Sequence, residues 1–285
     1  MKKKIIILGS TGSIGKNTIK ILKKDKANFS IELLSTNKNV NKVLAQAKEF
    51  NVKNIIINDF KSYIIAKDKF KKSKINFHNS FTILDKLFKK KEIFYAMVSV
   101  VGLDGLDPTM RSIKISQNVA ITNKESLICG WDLIEKELKK NKTNFFPVDS
   151  EHFSIFSLIK NERESFVEKI FITASGGPFL KYSHSSLSKV KLKDALKHPN
   201  WSMGKKISID SSTMMNKLFE VIEAKKIFNT SYDKIEILVH PSSYIHALIK
   251  FKSGITKILL HEPDMRIPIH NTIYHKNKNS FKTKS

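Results

Sequence analysis

The sequence has almost no arginine. Of its 51 basic residues only Arg111, Arg163 and Arg266 carry a guanidinium, although the formal net charge is +25. Surfaces that read nucleic acid exploit arginine forks on phosphate and guanine. The lysines here are scattered among Asn and Ile, with no basic block interleaved with aromatics, so no nucleic-acid partner is expected despite the charge. Cysteine is equally scarce: a lone Cys129 excludes an intrachain disulfide and the usual cysteine-built zinc sites. Long apolar runs are missing as well. Ile5 to Leu8 follows three lysines but ends at Gly9, too short for a signal-peptide core, and no membrane-spanning stretch follows. These absences point to a cytoplasmic globular chain with no membrane partner. Its 285 residues, 41% of them hydrophobic, suffice for one large or two moderate domains.

Against these absences stands a strong alternation. Ile5 to Leu8 reads as a buried strand that runs into Gly9-Ser10-Thr11-Gly12-Ser13-Ile14-Gly15, with a helix from Ile14 to about Lys24 behind it. Strand, glycine turn and helix are the context in which backbone approaches a pyrophosphate at a helix N-terminus. Helix and strand then alternate as far as Val119 to Thr122. That spacing predicts the α/β class, with a Rossmann-like doubly wound parallel sheet whose ligands lie beyond the carboxyl ends of its strands. The second strand, Ile31 to Ser35, leads into Thr36-Asn37-Lys38-Asn39, without the carboxylate that an NAD-preferring site places there. Lys38 and the hydroxyls accept a 2′-phosphate, so NADP is expected over NAD.

Two further strand ends carry chemistry. Asn123, Lys124 and Glu125 offer an amide, an ammonium and a carboxylate where a nicotinamide would meet substrate; the alternative is an ordinary helix N-cap with an acid in the first turn. Asp149 and Glu151 stand two apart on an extended segment, with oxygens suited to a hard divalent cation such as Mg²⁺ or Mn²⁺. Glu220 is the candidate third ligand, whereas His152, His184 and His198 are less persuasive. After Glu151 the pattern becomes that of a second, α+β domain. Ser175-Gly176-Gly177 suits a phosphate or a plain turn. From His198 the sequence predicts a His-Pro-Asn-Trp turn, a strand over Lys206 to Asp210, a Ser-Ser-Thr corner and an amphipathic helix. Met215, Leu218, Phe219 and Ile222 should face the core. Asn216, Glu220 and Glu223, with Lys217 beside them, lie on another arc that opens toward Ser211 and Ser212 as an anion site, or simply as a capped surface face. His275 to Ser285 read as a frayed tail.

Taken together, GSTGSIG (9–15), NKES (123–126), PVDSEH (147–152), SGGPF (175–179), HPNWSMGKKISIDSSTMMNK (198–217), HPSSYIH (240–246) and EPDMRIPI (262–269) closely resemble the 1-deoxy-D-xylulose 5-phosphate reductoisomerase family. The motifs keep the family's order and span nearly the whole chain. The resemblance implies an NADPH-dependent domain over 1–148, a catalytic domain over 149–272 and a polar tail over 273–285. It implies rearrangement and reduction of 1-deoxy-D-xylulose 5-phosphate to 2-C-methyl-D-erythritol 4-phosphate in the non-mevalonate isoprenoid pathway, with Mg²⁺, Mn²⁺ or Co²⁺.

By resemblance, Asp149, Glu151 and Glu220 are the metal ligands, while Lys124 and Ser150 hold the substrate backbone. Ser175, Ser211, Asn216 and Lys217 grip its phosphate, with His198 at the substrate. Thr11, Gly12, Ser13, Ile14, Asn37, Lys38, Asn39, Asn123, Glu125 and Gly204 contact NADPH. Trp201 and Met203 resemble a flap that closes over the site, and a homodimer through the second domain's sheet is the family expectation. Asn37 replaces the family's usual glycine in the cofactor turn, where its tolerance of positive φ should accommodate it. The family's C-terminal helical domain is expected to be absent, which leaves a non-catalytic remnant that still binds NADPH as the alternative.

Overall fold

The computed structural model of the chain describes residues 1–163, 166–201, 204–276 and 281. Its contacts divide into one unit of 1–148 with 269–285 and a second of 149–268. The first unit alternates strictly. Its elements run β1 (Lys3–Leu8), α1 (Ser13–Lys23), β2 (Phe29–Thr36), α2 (Val40–Phe50), β3 (Asn54–Ile57), α3 (Phe60–Lys69), β4 (Asn76–His78), α4 (Ile83–Leu87) and β5 (Ile93–Val98). Then come α5 (Leu106–Ile115), β6 (Ser116–Ile121), α6 (Lys124–Asn141) and β7 (Asn144–Pro147). The strands pair in the order β4-β3-β2-β1-β5-β6-β7, all parallel. Ile5, Ile6, Ile7 and Leu8 are wholly buried, as strands covered on both faces must be. The chain winds outward from β1 to β4 and resumes at β5, so the order reverses beside β1, where ligands bind in such sheets.

The second unit begins with α7 (Ser150–Ile159) and β8 (Val167–Ala174), then α8 (His184–Leu187) and α9 (Leu192–Ala195). It continues with α10 (Lys205–Ser212), α11 (Met215–Ile227), β9 (Ile235–Val239), β10 (Ile245–Phe251) and β11 (Thr256–Leu260). Its mixed sheet has the order β11-β10-β8-β9, parallel only between β8 and β9. Ile155, Ile170, Ile172, Ala224, Phe228, Ala247 and Ile249 form its core. Leu238, Ile258 and Leu260 remain exposed.

Two expectations fail here. Lys206 to Asp210 is helical, within α10, rather than a strand. Ile207 and Ile209 imitate strand alternation, but Ser208 is the buried residue, its N–H and hydroxyl both donating to the Gly204 carbonyl. A Lys206–Asp210 ion pair of 2.7 Å adds i,i+4 support. On α11 the faces are reversed. Met215 and Leu218 are 42% and 50% exposed, whereas Lys217, Glu220 and Glu223 are at most 5% exposed. Charges tolerate such burial only when they are paired, as Lys217 and Glu220 are with each other.

The last helix, α12 (Arg266–Ile273), returns the chain to the first unit. There Tyr95 and Thr272 share a buried hydroxyl hydrogen bond of 2.8 Å. His275 is not frayed: its Nδ1 lies 3.0 Å from the Thr272 carbonyl and its ring packs on Phe146 at 4.7 Å. Among the described residues no helix is long and apolar enough to cross a membrane.

Candidate active site

In the first unit the glycine turn is dictated by close backbone approach. Gly9 has φ +85°, and a Cβ there would stand 2.5 Å from the Ser99 carbonyl oxygen. At Gly15 it would stand 2.4 Å from the Gly9 carbonyl. Gly12 is exposed at the N-cap of α1, where no side chain caps the free N–H groups, which leaves them to an anion. Ser13 and Ile14 open that helix. The turn is tied to the end of β2 by Gly9 N–H donating to Ser35 Oγ at 2.8 Å and by a Thr11–Thr36 hydroxyl bond of 2.8 Å. Asn37, Lys38 and Asn39 are exposed beyond β2, with Asn39 capping α2. Asn37 is not among the residues with positive φ, so this turn makes no demand for glycine there. A carboxylate does approach: Asp59, the N-cap of α3, lies 3.7 Å from Lys38 Nζ. It arrives from β3, beyond the reach of a local reading.

Asn123 proves to be an N-cap. Its Oδ1 accepts from Ser126 N–H at 2.8 Å, and its amide nitrogen donates to the Val100 and Gly102 carbonyls. Lys124, buried, and Glu125, half-buried, form the first turn of α6.

The second unit gathers the acids. Asp149 is the N-cap of α7, and Ser150 and Glu151 form its first turn; these residues do not lie on an extended segment. Ligand atoms of Asp149, Glu151 and Glu220 all lie within 4.8 Å of one another. Three carboxylates at that separation suit a six-coordinate, oxygen-loving ion such as Mg²⁺. Lys217 Nζ donates to Glu151 Oε1 at 2.7 Å, and also to Glu220 Oε2 and the Thr173 carbonyl. Ser150 donates to the other Glu151 oxygen and Asn216 to the other Glu220 oxygen. Burial opposes the charged form of Lys217, but Glu151 and Glu220 outweigh it and hold its pKa above the usual range. Burial likewise opposes the Glu151 carboxylate, and Lys217 outweighs that, so its pKa is lowered. His152, discounted in the sequence, lies in a second grouping with Asp149 and Glu223, its Nε2 2.9 Å from the Glu220 carbonyl.

A hydroxyl site is built beside them. His198 Nδ1 accepts backbone N–H bonds from Asn200 and Trp201, so its proton sits on Nε2, 3.1 Å from Ser175 Oγ. Ser175 Oγ also accepts from Gly177 N–H at 3.1 Å, which leaves its own hydrogen for an acceptor such as a phosphate oxygen. Gly176 and Gly177 both have positive φ. A Cβ on Gly177 would stand 2.8 Å from the Ser211 carbonyl, so this turn lies against the end of α10. Ser211 closes that helix; it does not open α11, whose N-cap is Met214 in the left-handed region. Gly204 is the exposed N-cap of α10. Met203 lies outside the described residues. Trp201 packs edge-on to His246 at 6.0 Å.

These features define a class: an α/β oxidoreductase with a dinucleotide turn on a parallel sheet and a separate acidic unit suited to a divalent ion. Residues 5–130 match the 1-deoxy-D-xylulose 5-phosphate reductoisomerase family, and residues 145–228 match that enzyme's C-terminal domain family. The 1-deoxy-D-xylulose 5-phosphate reductoisomerase of Pelagibacter ubique is 55% identical over 284 residues, 99% of this chain and 73% of that protein. The Zymomonas mobilis enzyme, solved with NADPH, superposes with a TM-score of 0.89 at 33% identity, over all of this chain and 74% of that one. A DOX-P reductoisomerase solved with NADPH, fosmidomycin and magnesium gives 0.90 at 32% identity, over 98% and 71%. The chain belongs to the 1-deoxy-D-xylulose 5-phosphate reductoisomerase family.

Proposed function

We propose that the chain rearranges 1-deoxy-D-xylulose 5-phosphate and reduces the product to 2-C-methyl-D-erythritol 4-phosphate, with NADPH and Mg²⁺ or Mn²⁺. The observation that carries this is the convergence of Asp149, Glu151 and Glu220, in a chain whose other unit presents an uncapped glycine turn. Residues 1–148 hold NADPH and residues 149–272 hold substrate and ion. Thr11, Gly12, Ser13 and Ile14 receive the pyrophosphate; Asn37, Lys38 and Asn39 receive the adenosine end; Glu125 and Gly204 contact the cofactor. NADPH supplies the hydride, and the bound ion supplies Lewis-acid polarisation of the substrate oxygens.

The side chains do the positioning. Asp149, Glu151 and Glu220 hold the ion, while Ser150 and Lys124 orient the carbon skeleton. Ser175 donates its hydroxyl hydrogen to the phosphate, joined by Ser211, Asn216 and Lys217, with His198 holding Ser175 in place. Phosphate binding is remote from the bond changes, so its energy can align the substrate and close the Trp201 segment against water. The exposed apolar face of the second sheet, with Leu238, Ile258 and Leu260, suits a homodimer. The enzyme works in the cytoplasm.

NADPH oxidation with 1-deoxy-D-xylulose 5-phosphate, with and without Mg²⁺, tests the reading. Turnover should need the ion and fall in Glu220→Gln by roughly a hundredfold or more, the upper range seen even for outer partners of a metal. Ion-independent turnover, or an unimpaired Glu220→Gln, would overturn it.

A further inference from the structure

A lysine ammonium has three hydrogens to donate, and those of Lys217 are all committed. They go to Glu151 Oε1, Glu220 Oε2 and the Thr173 carbonyl, on a side chain only 6% exposed. Each oxygen of both carboxylates has a donor, since Ser150 donates to Glu151 Oε2 and Asn216 to Glu220 Oε1. Of these three donors only Lys217 carries positive charge. Two of the three acids read above as ion ligands are therefore bridged by one cation of the chain's own.

We propose that Lys217 is a built-in counter-cation, which holds the acidic trio together without a divalent ion and withdraws from Glu151 and Glu220 when one binds. The inference rests on the reading of Asp149, Glu151 and Glu220 as the ion site. An ammonium and a divalent ion cannot share two largely buried carboxylates without strong repulsion. Thr173, the third acceptor, is two residues before Ser175, so an ammonium released from the acids stays anchored at the strand end that leads to the hydroxyl awaiting an anion. Ion binding thus creates the free donor that the phosphate needs. By linkage, the anion must tighten the ion to the same degree.

Mn²⁺ binding, followed by the electron paramagnetic resonance of the free ion, tests this without turnover. Lys217→Met should bind Mn²⁺ roughly tenfold more tightly than the wild-type protein, within the usual range of such couplings. Inorganic phosphate should tighten Mn²⁺ in the wild type and much less in the variant. A measurement on unmutated protein stands beside these. In ¹⁵N-lysine-labelled enzyme the slowly exchanging ammonium resonance of this buried group should shift or vanish as Mg²⁺ is added. If Glu220→Gln binds Mn²⁺ as the wild type does, the ion-site reading fails and takes the inference with it. If Glu220→Gln loses the ion while Lys217→Met gains no affinity, or the ammonium resonance stays put at saturating Mg²⁺, only the counter-cation role is overturned.

Discussion

His198 and Ser175 form a directed pair. The imidazole accepts at Nδ1 from Asn200 N–H at 3.1 Å and Trp201 N–H at 3.0 Å, and offers Nε2 to Ser175 Oγ at 3.1 Å. Burial lowers the His198 pKa, which favours the neutral ring that this arrangement uses. The two nitrogens can be separated by mutation. Asn at 198 retains an acceptor near Nδ1 and loses the Ser175 contact, so His198→Asn should keep its melting temperature while kcat/KM falls by up to roughly tenfold, the upper worth of one neutral hydrogen bond. Ser175→Ala should fall by at least as much. A wild-type kcat/KM in Ser175→Ala would remove the hydroxyl from phosphate binding.

Gly9 leaves no room for a side chain. With φ at +85° and the Ser99 carbonyl 2.5 Å from the would-be Cβ, Gly9→Ala must distort the turn or part it from the sheet. A cost of about 1–3 kcal/mol is expected from the strain. Thermal unfolding and NADPH fluorescence titration should both report it, as a lower melting temperature and weakened cofactor binding. Unchanged NADPH affinity would separate this turn from the cofactor.

Lys38 and Asp59 set the cofactor preference in opposition. Lys38→Glu should raise KM for NADPH roughly tenfold, an energy of about 1.4 kcal/mol, and leave KM for NADH nearly unchanged. Asp59→Asn, which removes the carboxylate 3.7 Å away, should lower KM for NADPH. Equal changes for both cofactors would rule out a 2′-phosphate contact.

Acid should destabilise the protein through its histidines. Burial lowers the pKa of His78, His198, His246 and His270, and that of His261 falls to about 4. At His261, burial acts first and the stacked His246 ring, 3.8 Å away, adds to it; the Glu262 carbonyl, Glu151 and Asp264 oppose. The unfolded chain takes up these protons below about pH 6.5, and the folded chain only at lower pH. Their contribution to stability is thus complete above about pH 6.5 and shrinks toward the folded pKa values. Melting temperature should decline from pH 6.5 to about pH 4, with a shallower slope in His261→Phe. Identical slopes would exclude His261 as a contributor.

The parallel sheet was legible in the sequence because its strands are short apolar runs that alternate with helices, and because Gly9 to Gly15 stands between a strand and a helix. Asp149, Glu151 and Glu220 could be grouped by donor chemistry, although the first two meet at a helix start. What resisted reading were features set by packing across the chain. Alternating Ile207 and Ile209 look like strand until Gly204 is seen accepting from Ser208. The apolar stripe on α11 looks like its core face because the local Lys217–Glu220 pair reads as an ordinary surface pair until the Glu151 partner, 66 residues away, is seen. Asp59 reaches Lys38 only through the pairing of β2 with β3.

The return of the chain to its first unit also orders its birth. Tyr95 must wait 177 residues for Thr272, and Asp25 must wait 249 for Tyr274. A ribosome, at about 5–20 residues per second, delivers the whole acidic unit before the last piece of the dinucleotide sheet's packing emerges. The later-made unit can therefore finish folding first, while the earlier one is held open with part of its core surface bare.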